Sequence, residues 1–167
     1  MKRAEQQTEG MQKIADLIDQ IGVGMLTWDD GTGRLSSRPM LPLEMDADGS
    51  LWYFTRLTPD KEAAQGRVNV AFARPDSASY VSVSGRATLL HEREKILSLW
   101  SALAEPWFPD GPDDPSLMLL RVDVDDAEFW DASTKCMVRL PYRAPVAAQL
   151  DAENGKVLNP QFPAAVV

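Results

Sequence analysis

Arg34 to Lys61 reads RLSSRPMLPLEMDADGSLWYFTRLTPDK, and the rest of the chain is organised around this stretch. Two runs rich in apolar residues flank Asp48-Gly49, a tight-turn signal, so the stretch predicts strand, turn, strand. Thr58-Pro59-Asp60-Lys61 then has the order of a helix start. Thr58 suits the N-cap, and Pro59 suits the first helical position, where no amide hydrogen is missed. The positive end of a helix favours an anion such as phosphate. Lys61 beside it, and Arg38 on the strand expected to be its neighbour, would add two cations. The same residues also fit a plain alternative, in which the arginines face solvent and Thr58-Pro59 only caps a helix.

Composition narrows the classes of function. The 167 residues suffice for one domain, and 44% hydrophobic with 25% charged residues is the balance of a soluble globular protein. A net charge of −8 argues against general nucleic-acid binding and against an anionic membrane surface, both of which need a basic face. It does not exclude a local cluster of Arg and Lys on one phosphate. One cysteine, Cys136, excludes an internal disulfide, and one histidine, His91, removes most metal constellations. The opening MKRAEQQTEG lacks the apolar core of a signal peptide, and no apolar run is long enough to span a membrane. The expected setting is the cytoplasm.

Outside the central stretch, Met11, Ile14, Leu17, Ile18 and Ile21 recur at spacings of three and four. They predict a helix over 8–21, with Thr8 as cap and Gly22 as stop. Gly24–Trp28 reads as a strand. Asp29–Gly33 is a polar loop that lacks the third glycine of a dinucleotide fingerprint. A short helix is expected at Asp60–Gln65. Arg67–Arg74 alternates, with Val68, Val70 and Phe72 on one face. Tyr80–Leu90 is a long strand in which Gly85 marks a bulge or a close backbone approach. Glu92–Leu103 predicts a second helix, with Ile96, Leu97, Trp100 and Leu103 inward.

Pro106–Pro115 is irregular, with four prolines and three aspartates around Trp107 and Phe108. The two aromatics either plug the core or cover a flat ring or a dimer interface. Leu117–Val124 is a strand, Asp125-Asp-Ala a turn or short helix, and Glu128–Asp131 extended. Lys135–Leu140 is a last strand. The resulting fold class is mainly β (α+β), about seven strands and two substantial helices, fitting an antiparallel barrel or sandwich.

No residue presents itself as nucleophile or general base, and the catalytic residues are left unassigned. Val-Ser-Val-Ser-Gly at 81–85 lacks the first glycine of a nucleophile elbow. Asp110, Asp113 and Asp114 lack the pattern of a calcium loop and read as solvated; no metal is expected. Cys136 reads as a small buried hydrophobe and His91 as a surface residue. If the protein is catalytic, a cofactor carries the reactive chemistry.

Several segments in order resemble the FMN-binding split-barrel superfamily that includes pyridoxamine 5′-phosphate oxidase. They are Met25-Leu-Thr, Arg34–Met40, Gly49–Thr55, Lys61, Val68–Phe72 and Tyr80–Ala87. Leu99-Trp100, Trp107–Pro115 and Ala127–Asp131 resemble its general-stress-protein branch. The resemblance implies an antiparallel split β-barrel with flanking helices over 8–140, followed by a tail over 141–167. It implies a homodimer with FMN at the subunit interface. Arg38, Pro39 and Met40 would run along the ring and phosphate, and Phe54 and Thr55 would sit on the paired strand. Thr58 and Lys61 would hold the phosphate, Tyr80 would lie near the ring, and Trp107 would approach the partner's flavin. The implied activity is flavin-dependent oxidoreduction of a small substrate. Two alternatives stay open: a non-catalytic flavin-binding or storage protein, and a barrel that uses a deazaflavin or haem. The Trp and Arg pattern by which the oxidase recognises pyridoxal phosphate has no match here.

Overall fold

The structure is a computed structural model that describes residues 1–3, 9–58, 65–131 and 135–141. Thr8, Pro59, Lys61, most of the expected helix at 60–65, and the tail from 142 lie outside the described residues. In chain order the elements are β1 (Lys2–Arg3), α1 (Glu9–Ile21), β2 (Gly24–Asp29), β3 (Leu35–Met40), β4 (Glu44–Met45) and β5 (Leu51–Arg56). Then follow β6 (Gly66–Arg74), β7 (Ser79–Leu90), α2 (Arg93–Leu99), β8 (Leu117–Asp131) and β9 (Cys136–Pro141), with short 3-10 turns at Pro75–Ser77 and Gly111–Asp113. The nine strands form one sheet in the order β1-β4-β5-β8-β7-β6-β2-β3, with β9 added on β8. Every pairing except β1 with β4 is antiparallel.

The sheet curls around one core. Leu26, Trp28 and Met40 from one end of the strand order pack with Met45, Leu51 and Tyr53 from the other. Helix α1 contributes Ile14, Ala15 and Ile18, all 0% exposed, to the same core. Its apolar stripe is the one read from the spacing. Gly22 stops the helix as expected: its φ of 86° is open to glycine at little cost, and its N–H reaches the Ile18 carbonyl at 2.8 Å. The alternation over 67–73 also holds, with Val68, Val70 and Phe72 buried and Arg67, Ala71 and Ala73 exposed.

Asp48-Gly49 does make a turn. Asp46 and Ser50 close it through Asp46 N–H to the Ser50 carbonyl at 3.0 Å, and Gly49 takes φ 79°. The strand before it does not run unbroken from 34, however. Pro42 has no N–H to give a ladder, and the run splits at Leu41-Pro42-Leu43 into β3 and β4. Only the two-residue β4 pairs with β5; β3 pairs with β2. Arg38 is therefore not on the strand hydrogen-bonded to Phe54 and Thr55, which corrects the expected hairpin.

Three further expectations change. Asp125-Asp-Ala is not a turn, because β8 runs without a break for 15 residues. The extra residue is absorbed as a bulge: Ser84 pairs with Asp126 and Gly85 with Val124, so Asp125 has no opposite number on β7. Gly85 supplies the close approach, since a Cβ there would lie 2.1 Å from the Asp123 carbonyl oxygen. Helix α2 ends at Leu99, because Trp100 turns extended (φ −61°, ψ 135°) and packs on Phe54 with ring centroids 5.8 Å apart. Ile96 and Leu99 are its buried residues, whereas Leu97 and Leu103 are exposed. Cys136 is exposed, not buried, because it opens the strand β9, which among the described residues has β8 as its one sheet neighbour.

A second, smaller core lies under α2. Trp52, Ile96, Leu99, Phe108, Leu117 and Leu119 pack together there, with Phe54 and Trp100 at its edge. A polar seam joins α2 to the β4–β5 hairpin. Lys95 Nζ pairs with Glu44 at 2.6 Å and lies 4.7 Å over the Trp52 ring, whose indole N–H donates to Asp46 at 2.9 Å. Both ends of the Lys95–Glu44 pair are sheltered, so it is less screened than a surface pair.

Candidate cofactor site

Among the described residues, two of the sheet's open edges, β3 and the end of β5, border the main core. β3 ends the strand order, and beyond Trp52 no described strand pairs with β5 on the side away from β8. Among the described residues, that leaves the Tyr53–Arg56 backbone outside any ladder on one side. Met40 at the end of β3 and Tyr53 on β5 share one core, so the two open edges belong to the same curled sheet.

The expected cofactor residues fall into two groups along these edges. On β3, Arg38 and Pro39 are exposed and Met40 is 8% exposed. The Arg38 guanidinium donates to the Ser37 carbonyl at 2.9 Å and sits 5.8 Å from the Trp28 ring. Leu35, two residues in front of Ser37, is 70% exposed. Across β2 and β6, Met25 and Ala71 continue the exposed face of Pro39 by direct pairing. Ser82, Asn69 and Ser84 follow on the same face. The Asn69 amide donates to the Ser82 hydroxyl at 2.8 Å and to the Ser84 hydroxyl at 3.2 Å. Tyr80, 37% exposed, lies on β7 opposite Ala73.

The second group sits at the end of β5. Phe54 is half-buried against Trp100 and against Phe108, whose ring lies 6.1 Å away in an edge-on arrangement. Thr55 is buried and Thr58 half-buried just beyond the strand. Trp107 and Phe108 differ in their surroundings. Phe108, 5% exposed, plugs the second core, whereas Trp107 is 71% exposed. Sequence reasoning did not single out what joins that loop to β5. The Arg56 guanidinium donates to the Trp107 carbonyl and lies 5.3 Å from the Phe108 ring. The signal in the sequence was only that an arginine stands beside Thr55 on a strand end.

Asp114 is not a solvated loop carboxylate: it is 6% exposed. Hydrogen bonds from the Ser116 hydroxyl at 2.6 Å and the Ser116 amide at 2.8 Å hold its carboxyl below the ordinary 3.8, and the charge of Arg56 lowers it further. A carboxyl depressed in the folded state contributes stability above its ordinary value and loses it as pH falls through the lowered one. Asp114→Asn keeps the acceptor oxygen but not the charge. Wild type should therefore have the higher urea midpoint at about pH 5, and the gap should narrow at about pH 3. A gap that widens on acidification would contradict the assignment. Asp113 is engaged elsewhere, 2.7 Å from Arg93.

Among the described residues, the other groups offer no acid–base constellation. Burial pushes the phenol of Tyr53 up, which keeps it neutral, and its hydroxyl has no hydrogen-bond partner among the described residues. His91 is exposed. Among the described residues, no group of three or more His, Cys, Asp or Glu could hold a metal ion. What the edges and the loop beside β5 present is an exposed cation, the half-buried Thr58, backbone groups outside a ladder and the exposed Trp107, with Tyr80 exposed on β7. That donor set fits a phosphate joined to a flat, polar-edged ring better than it fits a metal or an acyl group.

A curled antiparallel sheet with a plugging helix and open edges is the architecture of a split β-barrel. The chain belongs to the pyridoxamine 5′-phosphate oxidase-like family, whose model matches residues 9–150. It is 30% identical over 136 residues to general stress protein 26 of Bacillus subtilis, covering 77% of this chain and 94% of that one. Among solved structures it is similar to a general stress FMN/FAD-binding protein of Xanthomonas citri, with 29% identity and a TM-score of 0.63. That match covers 74% of this chain and 89% of the other. A protein related to general stress protein 26 from Clostridium acetobutylicum gives a TM-score of 0.69 over 78% of this chain and 93% of its own. At 16% identity it speaks to the fold alone.

Proposed function

We propose that this chain is a general-stress-type flavoprotein that holds FMN at the interface of a homodimer and acts as a flavin-dependent oxidoreductase. The observation that carries the reading is the pair of open edges, β3 and the end of β5, which border one core and present Arg38 and Thr58, with Thr55 buried behind them. The description of the Xanthomonas citri relative as FMN/FAD-binding favours a flavin over other phosphorylated rings. The exposed Leu35, Met25 and Pro39 favour a second copy over solvent on the β3 side, since large apolar groups left open together mark an interface.

A bound flavin supplies the electron transfer. The chain's own part is binding and orientation. In this reading Arg38 and Lys61 neutralise the phosphate and the Thr58 hydroxyl donates to it. Backbone amides near Met40 and Thr55 meet the polar edge of the ring, while Phe54, Tyr80 and Trp107 shield its faces. Reading the single cysteine as a thiol outside any disulfide suits a reducing cytoplasm. Among the described residues, no helix is long and apolar enough to cross a membrane.

The absorbance spectrum of the purified protein tests the reading, with light scattering on a sizing column beside it. The expected results are the visible flavin band, FMN released on denaturation, and twice the chain mass. A colourless monomer that takes up no added FMN would overturn the proposal. NAD(P)H turnover above the rate of free FMN separates an enzyme from a flavin store.

A further inference from the structure

We propose that Arg56 is a positioning residue that fixes Trp107 as an aromatic wall of the cofactor site; the inference rests on the flavin reading above. Arg56 ends β5, next to Leu57 and Thr58, and its one guanidinium has three relations to the loop over 100–116. It donates to the Trp107 carbonyl, covers the Phe108 ring at 5.3 Å, and adds its charge to the field at Asp114. Phe108 is itself locked, buried against Phe54. The main chain is thus held at Trp107 from one side by Arg56 and from the next residue by a core anchor.

Consecutive residues then face opposite ways: Phe108 is 5% exposed and Trp107 is 71% exposed. An indole on a backbone fixed in this way offers a large flat face with few torsions left to freeze on binding. Through its carbonyl, Trp107 is tied to the strand end where Thr55 and Thr58 stand. A planar, forked, permanently charged group can serve a carbonyl and a ring together, which a lysine ammonium cannot do in the same geometry.

The test uses the full chain with FMN as the probe and reads affinity and the emission of bound flavin, which a stacked indole quenches. Trp107→Leu should brighten bound FMN and weaken binding about tenfold, the usual scale for one lost stacking partner. Arg56→Met should move both readings the same way, and Arg56→Lys should fall between it and wild type. Combined with Trp107→Leu, Arg56→Met should add little, since both act through one indole. Wild-type emission and affinity in Arg56→Met would overturn the inference, as would effects that multiply in the double variant. Should Arg56→Met not fold, Arg56→Lys decides by the same two readings. Failure of the wild type to bind FMN would instead sink the flavin reading, and this inference with it.

Discussion

Gly85→Ala destabilises the fold by about 3 kcal/mol or more, lowering the melting midpoint by roughly 10 °C. The added methyl would stand 2.1 Å from the Asp123 carbonyl oxygen and 2.9 Å from its carbonyl carbon. Both atoms are backbone, so no rotamer change relieves the contact. β7 and β8 must separate at the point where their register shifts between Ser84 and Gly85. That point divides β7 into a part that carries Tyr80, Ser82 and Ser84 and a part that pairs with the middle of β8. Loss of the bulge therefore disturbs the outer face of the sheet as well as the core. Gly24→Ala is the internal comparison. Its methyl would meet side-chain atoms, the Phe72 ring at 2.6 Å and a Val70 methyl at 2.8 Å, and these can give way. Its cost should be smaller, about 1–2 kcal/mol. Urea denaturation of both variants checks the order, and a smaller loss at Gly85 than at Gly24 would refute the backbone argument.

Arg38→Ala combined with Lys61→Ala should leave the purified protein colourless and weaken FMN binding by at least about 100-fold. The estimate takes each cation as one charge-assisted hydrogen bond to the phosphate, about 1.5–3 kcal/mol apiece. Each single variant should lose about tenfold or more, with the residual affinity falling further as salt is raised. Arg38 is exposed on β3, and its removal should leave thermal stability within about 0.5 kcal/mol of wild type. Lower affinity would therefore reflect the site and not the fold. Flavin titration of the apo-protein, followed by absorbance, measures the loss. Full flavin retention by the double variant would remove both residues from the site.

Patterns that depend on neighbours along the chain were legible without a structure. The helix over Ile14–Ile21, the alternation of Val68, Val70 and Phe72, the turn at Asp48-Gly49 and the close approach at Gly85 each follow from periodicity or from one residue's sterics. Readings that depend on a distant partner were harder. The run from Arg34 to Met45 reads as one strand; neither its break at Pro42 nor the pairing of its first part with β2 is part of that reading. Asp125-Asp-Ala has turn composition, yet β7 on one side and β9 on the other hold Asp126 and Ala127 in the sheet, with Asp125 as the bulge. Leu103 keeps helical spacing with Ile96 and Trp100. The contact of Trp100 with Phe54 ends the helix before Leu103 is reached.

The candidate site divides along the same line. Arg38, Thr58 and Trp107 could be nominated from residue type and family resemblance. Arg56 could not, because its partners are 51 and 52 residues away in the chain and meet it only when the loop folds back over the end of β5. By itself the sequence determined helix α1, the strands over 67–74 and 80–90, the apolar stripe of that helix and the apolar face over 68–72, and that an acidic, cysteine-poor chain would need a local cation cluster to hold an anion. Only the tertiary structure decided which strands are neighbours, where the sheet is left open, and which of two adjacent aromatics faces outward. Local propensity acts over a few residues, whereas strand pairing and burial are settled by contacts between segments far apart in the chain.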